Sequence, residues 1–342
     1  MALATHTPTT WDDILSTTMH NVRKQLTDNV FNGRPFLNHL MSNGRVRTIS
    51  GGISIVEPLL YTEGDFQSYA EWDTIQVTPV NTATAAQFPW KQLVASIAIS
   101  GLEEAQNNSS EMRINLLEAK VMQAEETMKA KLNQMLLGSM TAPAPSATDF
   151  DPITNLIDDT LPAGGIDPAT ELWWKSIVAG GAVADAAAFE AMLGSAFLHS
   201  SDAGGDKVDA LFTTPEIYSF YESTLTPQVR YTDTTKANLG FTNLLYKSAP
   251  MFWDFDVQDG MLLGVNSKYV GLTLHSDRNF KQSPFTANLT GSTGAAGAGP
   301  GGPGVATANA LDARISFITT YGNSTVRNRR RHFKLEGITL PV

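Results

Sequence analysis

The amino-acid sequence predicts an α+β protein in which a projecting β-hairpin, one long helix and a separate α/β domain follow each other along the chain. Three observations lead to this prediction. Apolar residues alternate with period two within 51–100, they recur every three or four residues over 110–137, and strand and helix patterns alternate after a Pro/Ala/Thr-rich linker at 141–152. With 342 residues, 42% of them hydrophobic, the chain is long enough for one large core or two smaller ones.

The composition excludes several classes of function. The absence of cysteine rules out disulfides, cysteine-ligated metals and thiol catalysis. A net charge of −10 disfavours strong binding of nucleic acid, because that affinity comes mainly from Lys and Arg. Without a basic and apolar leader or an apolar run near the ~20 residues of a membrane span, we expect a protein that is neither exported nor membrane-bound. Only 17% of the residues are charged, so a rather neutral surface suited to contacts between copies is expected.

Residues 1–50 are predicted to form an N-terminal arm of helices. Apolar residues at helical spacing follow a Thr10 cap, which predicts an amphipathic helix ending near Gly33. Pro35 then starts a second short helix, which Asn43 and Gly44 close because both residues tolerate left-handed backbone angles.

Residues 51–100 are predicted to form an extended-loop hairpin. Period-two alternation marks strands around Ile53 and Ile55, around Ile75 and Val77, and over 93–99. The part between about 61 and 88 is polar and Thr-rich, which favours a projecting hairpin over a buried sheet. Its aromatic side chains, which we expect to contact another subunit, are Tyr61, Phe66, Tyr69 and Trp72.

Residues 101–140 are predicted to contain the longest helix. Asn108 to Glu111 have the pattern of a capping box, and Gly138 is a stop signal. The helix from 110 to 137 would be ~40 Å long, with Glu125 one turn before Lys129 and placed to pair with it. Packing along a sheet is favoured over a coiled coil, because strong charge pairing beside the apolar stripe is missing. The stripe comprises Ile114, Leu117, Val121, Ala124, Met128, Leu132 and Met135.

A second domain is predicted mainly within 141–287. Asp185 caps an Ala-rich helix, and a short apolar strand at 208–214 leads into a helix opened by Pro215. The segment 244–275 is interpreted as three strands separated by two turns.

The last part of the chain divides into an insertion and two strands. Residues 288–309 are rich in Gly, Ala and Pro, which predicts a flexible surface insertion. Within 310–342, the alternating Ile315 and Phe317 predict a strand, Gly322-Asn323 predicts a turn, and the C-terminal strands are expected to return to the domain of the long helix.

No catalytic, cofactor-binding or metal site is predicted. No two of the 6 histidines lie within four residues of each other, and phosphate-binding loops and nucleophile elbows are missing from the sequence. Asp254, Asp256 and Asp259 before Gly260 resemble a calcium loop, but their spacing differs from that of an EF-hand. A strand that ends in a turn is the favoured interpretation.

One basic cluster stands out in this acidic chain. It consists of Arg327, Arg329, Arg330, Arg331 and Lys334. A nucleic-acid patch is one interpretation. If the segment is a strand, its arginines are divided between two faces, which favours ion pairs between strands or between subunits.

The order of these parts resembles the major capsid proteins of tailed bacteriophages, which have the Hong Kong 97-type fold. The residues that carry the resemblance are GGISIVEPLLY leading into the hairpin, the helix 110–137, the run DALFTTPEIYSFY, the segment 244–272 and the ending TTYGNSTVRNRRRHFKLEGIT. In these terms the parts are an N-arm, an extended loop, a peripheral domain with a spine helix, and an axial domain.

The resemblance implies a virion shell protein that assembles in the host cytoplasm into pentamers and hexamers of an icosahedral procapsid and then matures. Its implied partners are many copies of itself, a portal protein, in some cases a decoration protein, and packaged double-stranded DNA contacted nonspecifically. Because only ~50 residues precede the hairpin, we expect scaffolding from a separate protein. The hairpin has no Lys between Arg47 and Trp90, so covalent crosslinking through it is not expected. An encapsulin-like cellular shell is the alternative, and a small-oligomer hydrolase or binding protein is the alternative from another class.

Overall fold

The computed structural model describes residues 33–75, 77, 79–106, 116–138, 148–201, 205–225, 244–287, 290–291, 309–310 and 313–341. They divide into two compact units. The smaller unit contains the described residues of 97–124 and 285–316, and the larger contains those of 31–96, 125–284 and 317–341.

The described residues contain both helices and strands. The helices are α1 (Pro35–Ser42), α2 (Gly101–Gln106), α3 (Leu116–Leu137), α4 (Ile153–Leu156), α5 (Ala186–Ser200) and α6 (Pro215–Thr224). Short 3-10 turns lie at Leu172–Trp174, Ser276–Arg278 and Arg329–Arg331.

The strands are β1 (Val46–Ile49), β2 (Ser54–Leu60), β3 (Ala83–Pro89), β4 (Lys91–Ser100), β5 (Ile177–Ala182), β6 (Ala210–Thr213), β7 (Leu244–Tyr246), β8 (Ala249–Trp253), β9 (Leu262–Val265), β10 (Val270–His275), β11 (Lys281–Gln282), β12 (Thr286–Ala287), β13 (Thr290–Gly291), β14 (Asn309–Ala310), β15 (Ala313–Val326) and β16 (Phe333–Thr339).

The strands form two large sheets and two small ladders. In one large sheet β1 runs parallel to β10, and β10 runs antiparallel to β15. The other large sheet has the order β5-β16-β9-β6-β8-β7. The small ladders are β2 with β3 and β13 with β14. This mixture confirms the predicted α+β class.

The two C-terminal strands enter different sheets. β15 pairs with β10, whereas β16 lies between β5 and β9 in the sheet of the predicted axial domain. The larger unit contains β16 together with residues 125–137 of the long helix, and the return of the C-terminal strands to the domain of that helix stays a prediction. The 3-10 turn at Arg329–Arg331 redirects the chain between them.

The main core of the larger unit gathers α1, α3 and the centre of the axial sheet. Phe36 of α1 packs edge-on against Phe212 of β6 at 5.0 Å, and Phe212 stacks on Phe252 of β8 at 5.4 Å. Leu132 and Leu136 of α3 are fully buried in the same cluster. A second cluster lies between α5 and the axial sheet.

The first two predicted helices have different outcomes. Helix α1 confirms the short helix opened by Pro35, and Gly44 takes the left-handed conformation after it, with φ of 63°. The helix predicted from Thr10 to Gly33 lies outside the described residues, apart from Gly33 itself.

Helix α3 confirms the long helix over Leu116–Leu137, ~33 Å of rod, and ends at Gly138 with φ of 69°. The predicted capping box lies outside the described residues. Met128 accepts a hydrogen bond at 3.4 Å from Thr320 of β15, which agrees with packing along a sheet. Lys129 pairs with Glu126 at 2.7 Å instead of with Glu125.

In the smaller unit, Ser100 and Glu103 form a capping box at the start of α2. The Ser100 hydroxyl accepts from the Leu102 amide at 3.3 Å, while the Glu103 carboxylate accepts from the Ser100 amide at 3.1 Å. Lys120 of α3 donates to Glu103 at 2.7 Å, and this hydrogen bond lowers the pKa of the Glu103 carboxyl. Helix α2 is thereby tied to the first turns of α3.

The predicted hairpin is confirmed at its base and differs at its tip. Strands β2 and β3 pair from Ser54 opposite Pro89 to Leu60 opposite Ala83. Ile75 and Val77 alternate in sequence but lie outside any strand. The ladder ends at Leu60, and none of the strands in the described part of the chain pairs with these two residues; alternation alone does not make a strand.

Within 141–287, the observed elements agree closely with the sequence pattern. Asp185 caps α5 by accepting from the Ala188 amide at 2.8 Å, and Pro215 opens α6 directly after β6. The segment 244–275 contains four strands instead of the predicted three, because a tight turn at Lys247 and Ser248, both with positive φ, folds β7 back onto β8.

The predicted turn at Gly322-Asn323 is wrong. Strand β15 runs straight through these residues, and Gly322 lies opposite Leu274 of β10. A Cβ atom at position 322 would lie 2.4 Å from the Thr273 carbonyl oxygen. The glycine therefore permits close approach of two strands.

Candidate intersubunit surfaces

The exposed segment that joins β2 to β3 carries both aromatic and acidic side chains. Phe66 and Trp72 are each 91% exposed and Tyr69 is 66% exposed. We call residues 62–73 the acidic loop, because its charged residues are Glu63, Asp65, Glu71 and Asp73. Large apolar side chains held in water are typical of a surface that another molecule covers.

The fourth aromatic residue of the predicted contact set, Tyr61, belongs to the base of the hairpin. Its ring lies 5.6 Å from that of Trp173, which in turn lies 5.3 Å from Trp174. Trp174 is buried and donates from Nε1 to the Ala163 carbonyl at 2.9 Å. Tyr61 thus packs within its own chain, unlike the other three.

A buried carboxylate anchors the hairpin to the rest of the larger unit. Glu57 of β2 is 3% exposed, and it lies 2.9 Å from Arg327 Nε and 3.6 Å from Arg47 Nη1. Both arginines remain about half exposed. The sequence contained a signal for this contact, since Glu57 shares the inward face of β2 with Ile55 and Leu59. An inward-facing charge in a strand requires a partner.

The prediction that Arg329 lies on a strand is wrong. Residues 329–331 form a 3-10 turn instead of a strand, and the Arg329 side chain is fully buried. Its guanidinium donates to backbone carbonyls of Asn155, Leu156, Asp158 and Leu161 at 2.6–3.2 Å. Burial lowers the pKa of Arg329 to about 10. Arg329 therefore organises the 155–161 segment of its own chain and is removed from the set of intersubunit contacts.

The other arginines of the cluster are more accessible. Arg327 and Arg330 are exposed and Arg331 is half-buried. Arg327 and Arg330 line a groove of about 500 Å³ beside the hairpin base. We call it the basic groove, and its remaining lining residues include Tyr61, Trp173, Lys268, Tyr269 and Asn328. Trp173, Lys268 and Tyr269 were not predicted as part of this surface, because nothing in their local pattern indicates that distant segments meet there.

Lys334 of the basic cluster has a structural partner as well. Its ammonium lies 2.5 Å from Asp158 and 2.9 Å from Glu336. Burial raises the pKa of Asp158, but hydrogen bonds from Lys334, Thr160 and Leu161 outweigh burial and hold that pKa well below its usual range. Lys334 is therefore ion-paired within its own chain, but its partners are a loop residue and a residue of its own strand, so the predicted pairing between strands does not describe it.

His332 is a buried neutral histidine. Its Nδ1 accepts from the Asn266 amide at 3.1 Å, so the ring proton resides on Nε2. Complete burial, together with the neighbouring positive charge of Arg329, lowers the pKa of His332 to about 3. His332 lies in the segment that joins β15 to β16. Its hydrogen bond with the Asn266 amide connects the turn at Arg329–Arg331 to the end of β9.

Residues 254–260 form the predicted turn, but the preceding strand ends before Asp254 and does not continue through the acidic residues as expected. Strand β8 ends at Trp253, and Gly260 takes a left-handed conformation with φ of 69°. Asp254 and Asp256 both accept from Asn133 Nδ2, at 3.2 and 2.7 Å. Burial raises the pKa of Asp254. Across the described ranges, no three His, Asp or Glu residues are grouped so as to hold a metal ion.

The structure is similar to those of phage and GTA capsid proteins and of an encapsulin. It matches the cyanophage A-1(L) capsid asymmetric unit with a TM-score of 0.65 and 16% identity, over 94% of this chain and 97% of that one. It matches the capsid of a native GTA particle with a TM-score of 0.58 and 10% identity, over 93% and 96% of the two chains. The SrpI encapsulin of Synechococcus elongatus matches with a TM-score of 0.55 and 9% identity, over 96% and 94%.

No protein-family model and no curated protein matches the sequence. The likeness therefore resides in the fold, which this chain shares along nearly its whole length with phage capsid proteins. This confirms the fold expected from the order of hairpin, long helix and α/β domain.

Proposed function

We propose that this chain is the major capsid protein of a tailed phage and that it assembles through pentamers and hexamers into an icosahedral shell around double-stranded DNA. The observation that carries the proposal is the fold, which extends over 94% of this chain in the comparison with a cyanophage capsid. Because the match covers nearly the whole chain, few residues remain that could form a further domain with a different function.

The exposed acidic loop supports the proposal. A monomer gains nothing by holding Phe66 and Trp72 in water, whereas a shell built from many copies covers such side chains at each contact. Individually modest and repeated contacts suit a shell, because they allow misplaced subunits to dissociate during assembly.

The remaining parts of the proposal follow from this function. We place the protein in the virion capsid after assembly in the host cytoplasm, with a scaffolding protein, a portal protein and in some cases a decoration protein as partners. We assign it no catalytic role. In the described part of the chain, no helix is long and apolar enough to cross a membrane.

An encapsulin-like cellular shell is the second candidate, favoured by the similarity to the SrpI encapsulin. Both candidates predict large particles, so the contents of the particles discriminate between them. Nuclease-protected double-stranded DNA of uniform length supports the phage capsid, and a protein cargo supports the cellular shell.

The experiment is expression of the full chain, alone and with the genes that neighbour it, followed by size exclusion with light scattering and electron microscopy. Uniform closed particles are expected. A monomer or small oligomer under every combination would refute the proposal and favour the class of small-oligomer enzymes or binding proteins.

A further inference from the structure

A pocket of about 460 Å³ is lined by the end of the hairpin base and by residues of the segment 165–173. Its lining includes two carboxylates, Asp167 and Glu171, and two aromatic rings, Tyr61 and Trp173, but no Lys or Arg. We call it the carboxylate pocket. Its volume lies within the range of sites that hold small molecules.

One helical turn positions the two carboxylates. The Glu171 amide donates to the Asp167 carbonyl at 2.9 Å, so the two side chains start one turn apart on the same side of the segment. Asp167 Oδ1 accepts from the Ala169 amide at 2.9 Å, and Glu171 Oε2 accepts from Trp173 Nε1 at 2.5 Å. In the part of the chain that the structure describes, the second oxygen of each carboxylate has no donor and neither carboxylate has a cation as its partner.

Close backbone contact joins the segment to the hairpin. The Gln87 amide of β3 donates to the Gly164 carbonyl at 2.9 Å, and a Cβ atom at position 164 would lie 2.7 Å from the Ala86 Cβ atom. The Tyr61 and Trp173 rings lie 5.6 Å apart, with 31° between their planes. The folded chain thus holds the walls of the pocket in place before a ligand binds, which reduces the entropic cost of binding.

The lining selects a ligand by its chemistry. The carboxylates attract a cation and repel an anion, and the faces of the Tyr and Trp rings attract organic ammonium groups. A calcium ion requires about 6–8 oxygen ligands and gains nothing from aromatic rings. The methylene groups of an alkylammonium ion, by contrast, are removed from water when they pack against such rings.

We infer that the carboxylate pocket binds a small linear diamine, whose ammonium groups pair with Asp167 and Glu171 and whose methylene chain packs against Tyr61 and Trp173. Two carboxylates match the two charges of a diamine, and the rings match the apolar chain between them. The inference goes beyond the proposed shell function and does not depend on it, because every lining residue belongs to one chain.

Isothermal titration calorimetry of the full unassembled chain in a buffer of low ionic strength tests the inference, with 1,5-diaminopentane as the probe. We expect saturable binding of one diamine per chain. Pentylamine, which has a single ammonium group, should bind at least threefold more weakly, and the uncharged 1,5-pentanediol should give no heat of binding. Absence of saturable binding by the diamine would overturn the inference.

Isosteric variants distinguish this site from a general attraction of cations to an acidic chain. Asp167→Asn keeps an acceptor for the Ala169 amide and Glu171→Gln keeps one for Trp173 Nε1, so both variants should fold. Each should weaken diamine binding at least threefold, and the double variant at least tenfold. Glu125→Gln, which removes an exposed carboxylate of α3, is the matched control and should bind like the wild type. Equal affinity of the double variant and the wild type would place the diamine elsewhere and overturn the inference.

A pair of substitutions at Tyr61 tests the aromatic wall. Tyr61→Phe keeps the ring and should bind the diamine within about twofold of the wild type, whereas Tyr61→Leu should bind it at least threefold more weakly. Circular dichroism shows whether each variant is folded. Equal affinities of the folded Leu and Phe variants would show that the ring does not contribute, which contradicts the assignment of an organic cation.

Discussion

His332 should make the stability of the folded subunit fall as the pH drops from 7.5 to 5. Its pKa is about 3 in the folded chain, against 6.5 for an ordinary histidine. The unfolded chain therefore takes up a proton below pH 6.5 that the folded chain does not bind until about pH 3. Stability from this residue is fully present above pH 6.5 and is lost as the pH falls toward the folded value.

The magnitude follows from the pH interval. At pH 5 the unfolded histidine lies about 1.5 units below its pKa, and each unit corresponds to about 1.4 kcal/mol, so His332 alone should lower the free energy of unfolding by about 2 kcal/mol relative to pH 7.5. The lowered pKa values of Asp158, Glu103 and Glu126 act only at more acidic pH, because their unfolded values lie near or below 4.5.

The assay is urea unfolding of the unassembled subunit at pH 7.5 and pH 5, followed by circular dichroism. His332→Asn retains an acceptor for the Asn266 amide and removes the titration. We expect the pH-dependent loss of stability to be about 2 kcal/mol smaller in this variant. His199→Asn, which removes an exposed histidine of α5, is the control. The same pH dependence in His332→Asn and wild type would refute the reasoning.

Three further changes test other parts of the structure. Trp72→Asp should abolish particle formation seen by electron microscopy and leave the circular dichroism spectrum of the subunit unchanged, because the side chain is exposed; unchanged particles would count against the loop as a contact. Arg329→Met should lower the free energy of unfolding in urea by roughly 3–5 kcal/mol, since four backbone carbonyls, two of them in fully buried hydrogen bonds, lose their donor. Gly322→Ala should cost about 1–3 kcal/mol in the same assay, because the new methyl group meets the Thr273 carbonyl; an unaffected variant would show that β15 moves freely.

The sequence predicted elements well where the signal is local. Pro35 and Pro215 open helices, Asp185 caps α5, and Gly138 ends α3, because each of these residues acts on backbone groups within one turn of itself. The first strand of the hairpin was also predictable, since the alternation around Ile55 coincides with β2. Its partner β3 was not, because it lies in the polar part between about 61 and 88, and the alternating segment 93–99 belongs to β4, which pairs with β15.

Prediction failed where the outcome depends on a distant partner. Gly322-Asn323 has the composition of a turn, but β10 supplies a neighbouring strand and the chain stays extended. Ile75 and Val77 are the opposite case: they alternate like a strand, but no strand among the residues that the structure describes pairs with them.

The candidate contact residues show the same division. Exposure of Phe66, Tyr69 and Trp72 agrees with the polar and unpatterned sequence around them. The spacing of the arginines did not predict their partners. Carbonyls of the 155–161 segment accept from Arg329, whereas Arg327 pairs with Glu57 of the hairpin.

By itself, the sequence determined the α+β class, the order of the hairpin, long helix and axial domain, and the absence of thiol chemistry, because these depend on composition and on periodicity within single segments. Only the tertiary structure decided that the last strand enters the axial sheet, that Arg329 is internal, and that Lys268, Arg327 and Arg330 share one groove. These outcomes depend on contacts between residues far apart in the chain, whose free energy exists only once the sheets have paired and water has been excluded from between them.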